Sequence, residues 1–92
     1  MDPPTIQHDP AARRFTVELD GHQAGLDYSL HGDRLSIDHT LVPEAIGGRG
    51  VAGRLVQVAM EYARAQGLGV VPACAYARAW IQRHPEYAAL CA

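Results

Sequence analysis

Apolar and polar residues alternate through the first half of the chain. Phe15, Val17 and Leu19 are interleaved with Thr16, Glu18 and Asp20, the period-two pattern of a strand with one buried face. Ala24, Leu26, Tyr28 and Leu30 repeat the pattern, and Leu35, Ile37, His39 and Leu41 repeat it again. Asp20-Gly21 separates the first two runs and His31-Gly32-Asp33 the next two. Both are turn signals, because Gly and Asp tolerate positive φ. The pattern predicts a three-stranded antiparallel meander, with Ile6 in a short edge strand before it. On strict alternation His39 shares a face with Leu35 and Ile37.

The period changes after Pro43, which stops the third run. Glu44-Ala45-Ile46-Gly47-Gly48-Arg49-Gly50 leads into Val51, Leu55, Val58, Ala59, Tyr62 and Ala63. These recur at three- and four-residue spacing, the apolar stripe of an amphipathic helix. Gln66-Gly67 closes that helix with a glycine cap. Gly69 to Val71 reads as a short strand ended by Pro72. Following a helical crossover, it most simply lies parallel to the last strand of the meander. A second helix is expected from near Tyr76 to about Arg83. His84-Pro85 breaks it, since the residue before proline avoids the helical region. A final turn around Tyr87 to Leu90 is expected to pack back. The fold class is therefore α+β: an antiparallel meander plus one parallel strand, packed with two to three helices, in a single domain over 1–92.

The chain has 92 residues, of which 48% are hydrophobic and 20% charged, so one modest core is expected without disulfide or metal staples. Much of the hydrophobic fraction is Ala, so the core rests on few large side chains. All eight basic residues are Arg, which excludes a lysine Schiff base and a phosphate-loop lysine. The net charge of −2 argues against non-specific nucleic-acid binding and against a polybasic membrane contact. No apolar run approaches the ~20 residues that cross a bilayer, and the opening MDPPTIQHDP has no basic-then-apolar signal pattern. Cys74 and Cys91 form no C-x-x-C pair and read as reduced thiols, so a cytoplasmic setting is expected. His8, His22, His31, His39 and His84 lack metal-ligand spacing, so no metal site is expected. No Gly-x-Ser-x-Gly elbow is present.

The stretch Gly47-Gly48-Arg49-Gly50-Val51-Ala52 lies between a strand and a long helix. Successive glycines let backbone N–H groups converge on one concavity, and the helix behind adds a partial positive charge. Such a loop suits a phosphate or pyrophosphate, with Arg49 as a side-chain contact, although a simple flexible turn has the same composition. It is neither a Walker loop nor a dinucleotide fingerprint.

The order strand–strand–strand, glycine-rich loop, helix, strand, helix resembles the centre of the GNAT superfamily of N-acetyltransferases. Their acyl-CoA loop reads [QR]-x-x-G-x-[GA]. Here Gly50 and Ala52 occupy the last two fixed positions, while Gly47 stands where Gln or Arg is usual. Val71-Pro72-Ala73-Cys74-Ala75-Tyr76, Ile81 and His84-Pro85-Glu86-Tyr87 resemble the short, single-domain GNAT-like proteins. So does His39-Thr40-Leu41-Val42-Pro43, which matches their His-Thr-x-Val-Pro segment. The resemblance runs from about Thr5 to Leu90.

That resemblance implies a GNAT-like minimal fold binding acetyl-CoA, with acetyl passed to an unknown amine acceptor, whether a small molecule, a peptide or a protein. Pantetheine would lie between the parting ends of the last meander strand and the strand after the helix, pairing near Leu41 and Val42. The pyrophosphate would sit on the amides of Gly48 to Val51, within a cofactor-binding loop of Gly47, Gly48, Arg49, Gly50, Val51 and Ala52. Cys74 would stand near the thioester, either as a nucleophile or as a polar contact. A small buried thiol is its plainer reading. Tyr76 would also border the donor. His39 is a candidate general base, since imidazole titrates near neutrality; a core histidine bonded to a carbonyl is the alternative. Tyr76 or Tyr28 is a candidate acid. Longer members carry a Tyr seven residues after the Cys74 position, and Ile81 stands there. The chain also lacks the helices after the first strand and the two last strands of a full domain. A non-catalytic or partner-dependent CoA or acyl-CoA-binding module is therefore the second reading.

Overall fold

The computed structural model describes residues 5–91. Residues 1–4 of the Pro-rich opening and residue 92, the ends of the expected 1–92 span, lie outside the described residues. The strands are β1 (Gln7–Asp9), β2 (Arg14–Leu19), β3 (His22–His31), β4 (Arg34–Leu41) and β5 (Gly69–Pro72). The helices are α1 (Val51–Gln66) and α2 (Ala75–Arg83), with 3₁₀ segments at Glu44–Ile46 and Pro85–Cys91. The strands form one sheet in sequence order. The first three pairings are antiparallel and β4 with β5 is parallel, as the crossover through α1 requires.

Both helices cover one face of this sheet. Phe15, Val17, Leu26, Tyr28, Leu35 and Ile37 project from the strands against Leu55, Val56, Ala59, Met60 and Ala63 of α1. Each fully buried Leu or Ile here contributes about 1.5–3 kcal/mol. The buried side of α1 is wider than the single stripe expected: Val56 and Met60 are buried, while Val58 and Tyr62 are only partly so. The reason is that α2 and the C-terminal segment flank α1 as well as the sheet. At Gly53 a Cβ would stand 3.1 Å from the Trp80 indole nitrogen, so a glycine lets α2 seat against the first turn of α1.

The C-terminal segment packs back as expected. Tyr87 is buried and donates its hydroxyl hydrogen bond to Glu61 of α1 at 2.7 Å. Trp80 stacks on His84 with ring centroids 3.9 Å apart, and His84 Nδ1 lies 2.8 Å from the Trp80 carbonyl oxygen. These contacts account for the His84-Pro85-Glu86-Tyr87 motif structurally.

An aromatic cluster closes the other end of the core. His8 of β1 stacks on Phe15 at 4.1 Å, meets Tyr62 edge-on at 4.5 Å, and places Nε2 2.6 Å from the Tyr28 hydroxyl. Tyr28 is thus engaged in this cluster. Burial pushes the His8 imidazole below its ordinary value, against a smaller opposing pull from Asp9. The folded state therefore binds that proton less readily than the unfolded chain does. The associated stability is present above about pH 6.5, the ordinary imidazole value, and is lost as the pH falls towards the depressed folded value. Urea denaturation at about pH 7.5 and about pH 5.5 should show a larger loss for the wild type than for His8→Phe. Equal losses would remove His8 as a source of the acid sensitivity.

Candidate functional site

The glycine-rich loop sits at the head of α1. Gly48 and Gly50 have φ of +78° and +76°, a left-handed conformation that glycine adopts without a Cβ penalty. The first backbone bond of α1 runs from Arg54 N–H to the Gly50 carbonyl at 3.1 Å. The amides of Val51, Ala52 and Gly53 therefore point out of the helix end, and among the described residues no side chain caps them. Added to the helix dipole, they give the helix head the chemistry of an anion site. Gly47 is different. Its φ is −65°, and its N–H bonds the Glu44 carbonyl, closing the 3₁₀ turn before the loop. Its departure from Gln or Arg removes a side chain and leaves that turn intact. Arg49 forms an ion pair with Asp20, tying the loop to the β2–β3 turn. Beside it, Arg49, Arg54, Ile6, Val17, Leu19 and Val51 line a mostly apolar cavity of about 300 Å³.

A second concavity opens where β4 and β5 part. Their pairing runs only from Arg34↔Gly69 to Ile37↔Pro72. Pro72 has no N–H to continue a ladder. The N–H of Cys74 still reaches the Ile37 carbonyl at 2.9 Å, and beyond that contact the strands diverge. The resulting cleft, about 640 Å³, is lined by Asp27, Asp38, His39, Thr40, Leu41, Ala73, Cys74 and Ala75. Leu41, 74% exposed, is an apolar side chain standing in its open mouth. Val42 packs against the core, just past the end of β4. Tyr76 also packs against the core, with its hydroxyl beside Gly53 at the head of α1.

The position of His39 corrects the expectation from alternation. His39 pairs with Asp27, but Ile37 pairs with Tyr28, so Asp38 is an extra residue on β4. Such a bulge reverses the parity of every residue after it. His39 and Leu41 consequently leave the face of Leu35 and Ile37 and are exposed. Thr40, opposite buried Leu26, takes the helix-side face instead. His39 is therefore no core histidine. It reaches the cleft from the uncovered face, where Asp27 accepts from Arg14 at 2.6 Å and Asp38 accepts from the Ser36 hydroxyl at 2.7 Å.

Cys74 is the N-cap residue of α2, extended at φ −83° and ψ 134°. Arg78 bonds the carbonyls of Pro72 and Ala73 at 3.2 Å each, which steadies the segment that carries it. The Cys74 thiol lies 3.8 Å from the Thr40 hydroxyl oxygen, to which its S–H is directed. Burial pushes this thiol up. The backbone N–H of Ala77, the Thr40 hydroxyl and the N–H groups of Tyr76 and Thr40 outweigh that, so it rests below the ordinary thiol value. Cys91, with burial alone acting on it, is pushed up. Of the two thiols, Cys74 is the one whose surroundings favour the thiolate.

Cys74, His39 and Leu41 thus share one cleft, while the left-handed Gly48 and Gly50 shape the helix head, which is not part of that lining. Thr40 and Asp38 are cleft residues that sequence periodicity misses. Ile81 is buried, so the position that carries a Tyr in longer GNAT members is apolar here.

A mixed sheet splayed beside a glycine-rich helix head is the architecture of an N-acetyltransferase-type domain. The model of the GCN5-related N-acetyltransferase family matches residues 14–90, and the chain belongs to that family. Protein NATD1 of Gallus gallus is 34% identical over 86 residues, covering 90% of this chain and 78% of that protein. Protein NATD1 of Homo sapiens is also 34% identical over 86 residues, covering 76% of that protein. The solution structure of a GCN5-like protein from Staphylococcus aureus superposes with a TM-score of 0.73 at 25% identity, covering 91% of this chain and 83% of that one.

Proposed function

We propose that the chain, as a single domain, binds acetyl-CoA and transfers its acetyl group to an amine. The observation that carries this reading is the pairing of an uncapped, glycine-rich helix head with a cleft between the parting ends of β4 and β5 that holds Cys74. The residues fit the donor. The amides of Gly48 to Val51, continued by the free amides of Ala52 and Gly53, suit a pyrophosphate. Among the described residues the pairing of β4 with β5 ends at Ile37, so backbone groups near Leu41 and Val42 suit pantetheine. Cover by a ligand would also explain an exposed Leu41. Acetyl-CoA supplies the acetyl group as an activated thioester.

The chain's own residues supply the rest. His39 is accessible from the uncovered sheet face and borders the cleft, as a base for an ammonium acceptor must. Cys74 faces the acyl end. Arg49, held by Asp20, shapes the loop rather than reaching a ligand in this arrangement. Two free thiols suit a reducing compartment such as the cytoplasm. Among the described residues no helix is long and apolar enough to cross a membrane.

Titration calorimetry with acetyl-CoA and with CoA tests donor binding, with micromolar affinity expected for both. Release of CoA thiol that depends on an added amine tests transfer. The buried Ile81 favours a second reading, a CoA-binding module that turns over poorly or only with a partner. Tight binding with no amine-dependent release would support that reading instead.

A further inference from the structure

Two independently anchored elements meet at a single side-chain contact in the cleft. The Asp38 bulge turns Thr40 onto the helix-side face, directly across from Leu26, which is fully buried. Cys74 is anchored separately, by its N–H to the Ile37 carbonyl and by the Arg78 bridge over Pro72 and Ala73. Their contact joins residues 34 positions apart, Cys74 Sγ and Thr40 Oγ1, at 3.8 Å. Among the described residues, Thr40 provides the one side chain hydrogen-bonded to this sulfur, and no Arg or His does so.

We propose that Thr40 is a positioning residue of the cleft, its hydroxyl aiming the Cys74 sulfur and stabilising it as a thiolate. While the thiol is protonated, the Thr40 oxygen accepts its S–H. Once that proton has left to solvent through the open cleft, the hydroxyl rotates and donates its own O–H to the sulfur. A hydroxyl serves both states because it donates and accepts. A β-branched residue has few χ1 choices, so the oxygen is held towards the sulfur. The N–H groups at the start of α2 act in the same sense, so a neighbouring cation is unnecessary. The role of this contact in transfer rests on the cleft being the acyl site, but the chemistry of the sulfur can be read without CoA.

The test is alkylation of Cys74 by iodoacetamide in a Cys91→Ser background, followed over roughly pH 6 to 10. In that reaction the sulfur forms a bond to the acetamide carbon and iodide leaves. Thr40→Val is expected to move the midpoint upward towards an ordinary thiol and to slow alkylation near neutral pH about tenfold, one unit of thiolate equilibrium. Thr40→Ser keeps the hydroxyl and should keep the original midpoint. An unmoved midpoint in folded Thr40→Val overturns the proposal. So does an equal shift in Thr40→Ser, which would trace the effect to the methyl group. If Thr40→Val does not fold, Thr40→Ala makes the same comparison. Protection of Cys74 by added CoA is a separate arm. A Thr40-dependent midpoint without CoA protection sinks the acyl-site reading and leaves the role of Thr40 standing. Protection with an unmoved midpoint does the reverse.

Discussion

Replacing Gly50 with Val should weaken CoA binding by at least about a hundredfold, the equivalent of two charge-assisted hydrogen bonds lost. Two effects act together. Gly50 has a φ of +76°, where a side chain is strained by about 1–2 kcal/mol. A Cβ there meets nothing within 4 Å, so the branched side chain would extend freely at the head of α1. There it would hold a phosphate away from the amides. Gly67 is the matched control. It closes the other end of the same helix with a φ of +70°, and its Cβ would also find open space. The two glycines stand roughly 24 Å apart along a helix of this length. Gly67→Val should lose stability in thermal denaturation yet keep CoA affinity in calorimetry. Wild-type affinity in a folded Gly50→Val variant would refute the phosphate cradle.

Cys74→Ala should lower amine-dependent release of CoA by about a hundredfold or more, the scale of a group that shares in attack or proton transfer. Intact mass spectrometry after mixing with acetyl-CoA alone separates the two roles open to the thiol. A nucleophile forms a bond from Sγ to the acetyl carbon. The thioester C–S bond breaks, and the CoA sulfur leaves and takes up a proton. One acetyl group then remains on the protein, absent from Cys74→Ala and retained in Cys91→Ser. If Cys74 is instead a polar contact to the thioester, the mass stays unchanged while turnover still falls. An adduct on another residue, or full turnover in Cys74→Ala, would remove Cys74 from the chemistry.

Most of the architecture is legible in the pattern of residues. Alternation in Phe15–Leu19 and Ala24–Leu30 marks two strands whose partners are near in the chain, joined by an Asp-Gly turn that adopts positive φ at both residues. The three- and four-residue spacing from Val51 predicts α1, and Gly67 its end. Pro43 and Pro72 mark the strand ends on either side, and a strand after a crossover helix is parallel for topological reasons. The cleft is less legible. Asp38-His39-Thr40 is polar throughout, so hydrophobic periodicity carries no signal at the point where the bulge reverses it.

Sequence alone thus determined the elements, their order and the glycine-rich helix head, because each depends on local backbone preference or on regular burial. It also determined that the chain has no lysine to offer a ligand or an acyl group. Tertiary structure decided which side chains face the cleft. The β4 bulge exists only in register with β3, and it exchanged His39 for Thr40 on the helix-side face. The meeting of Cys74 with Thr40 depends on where two strands separate, a property of the assembled sheet that neither segment carries by itself.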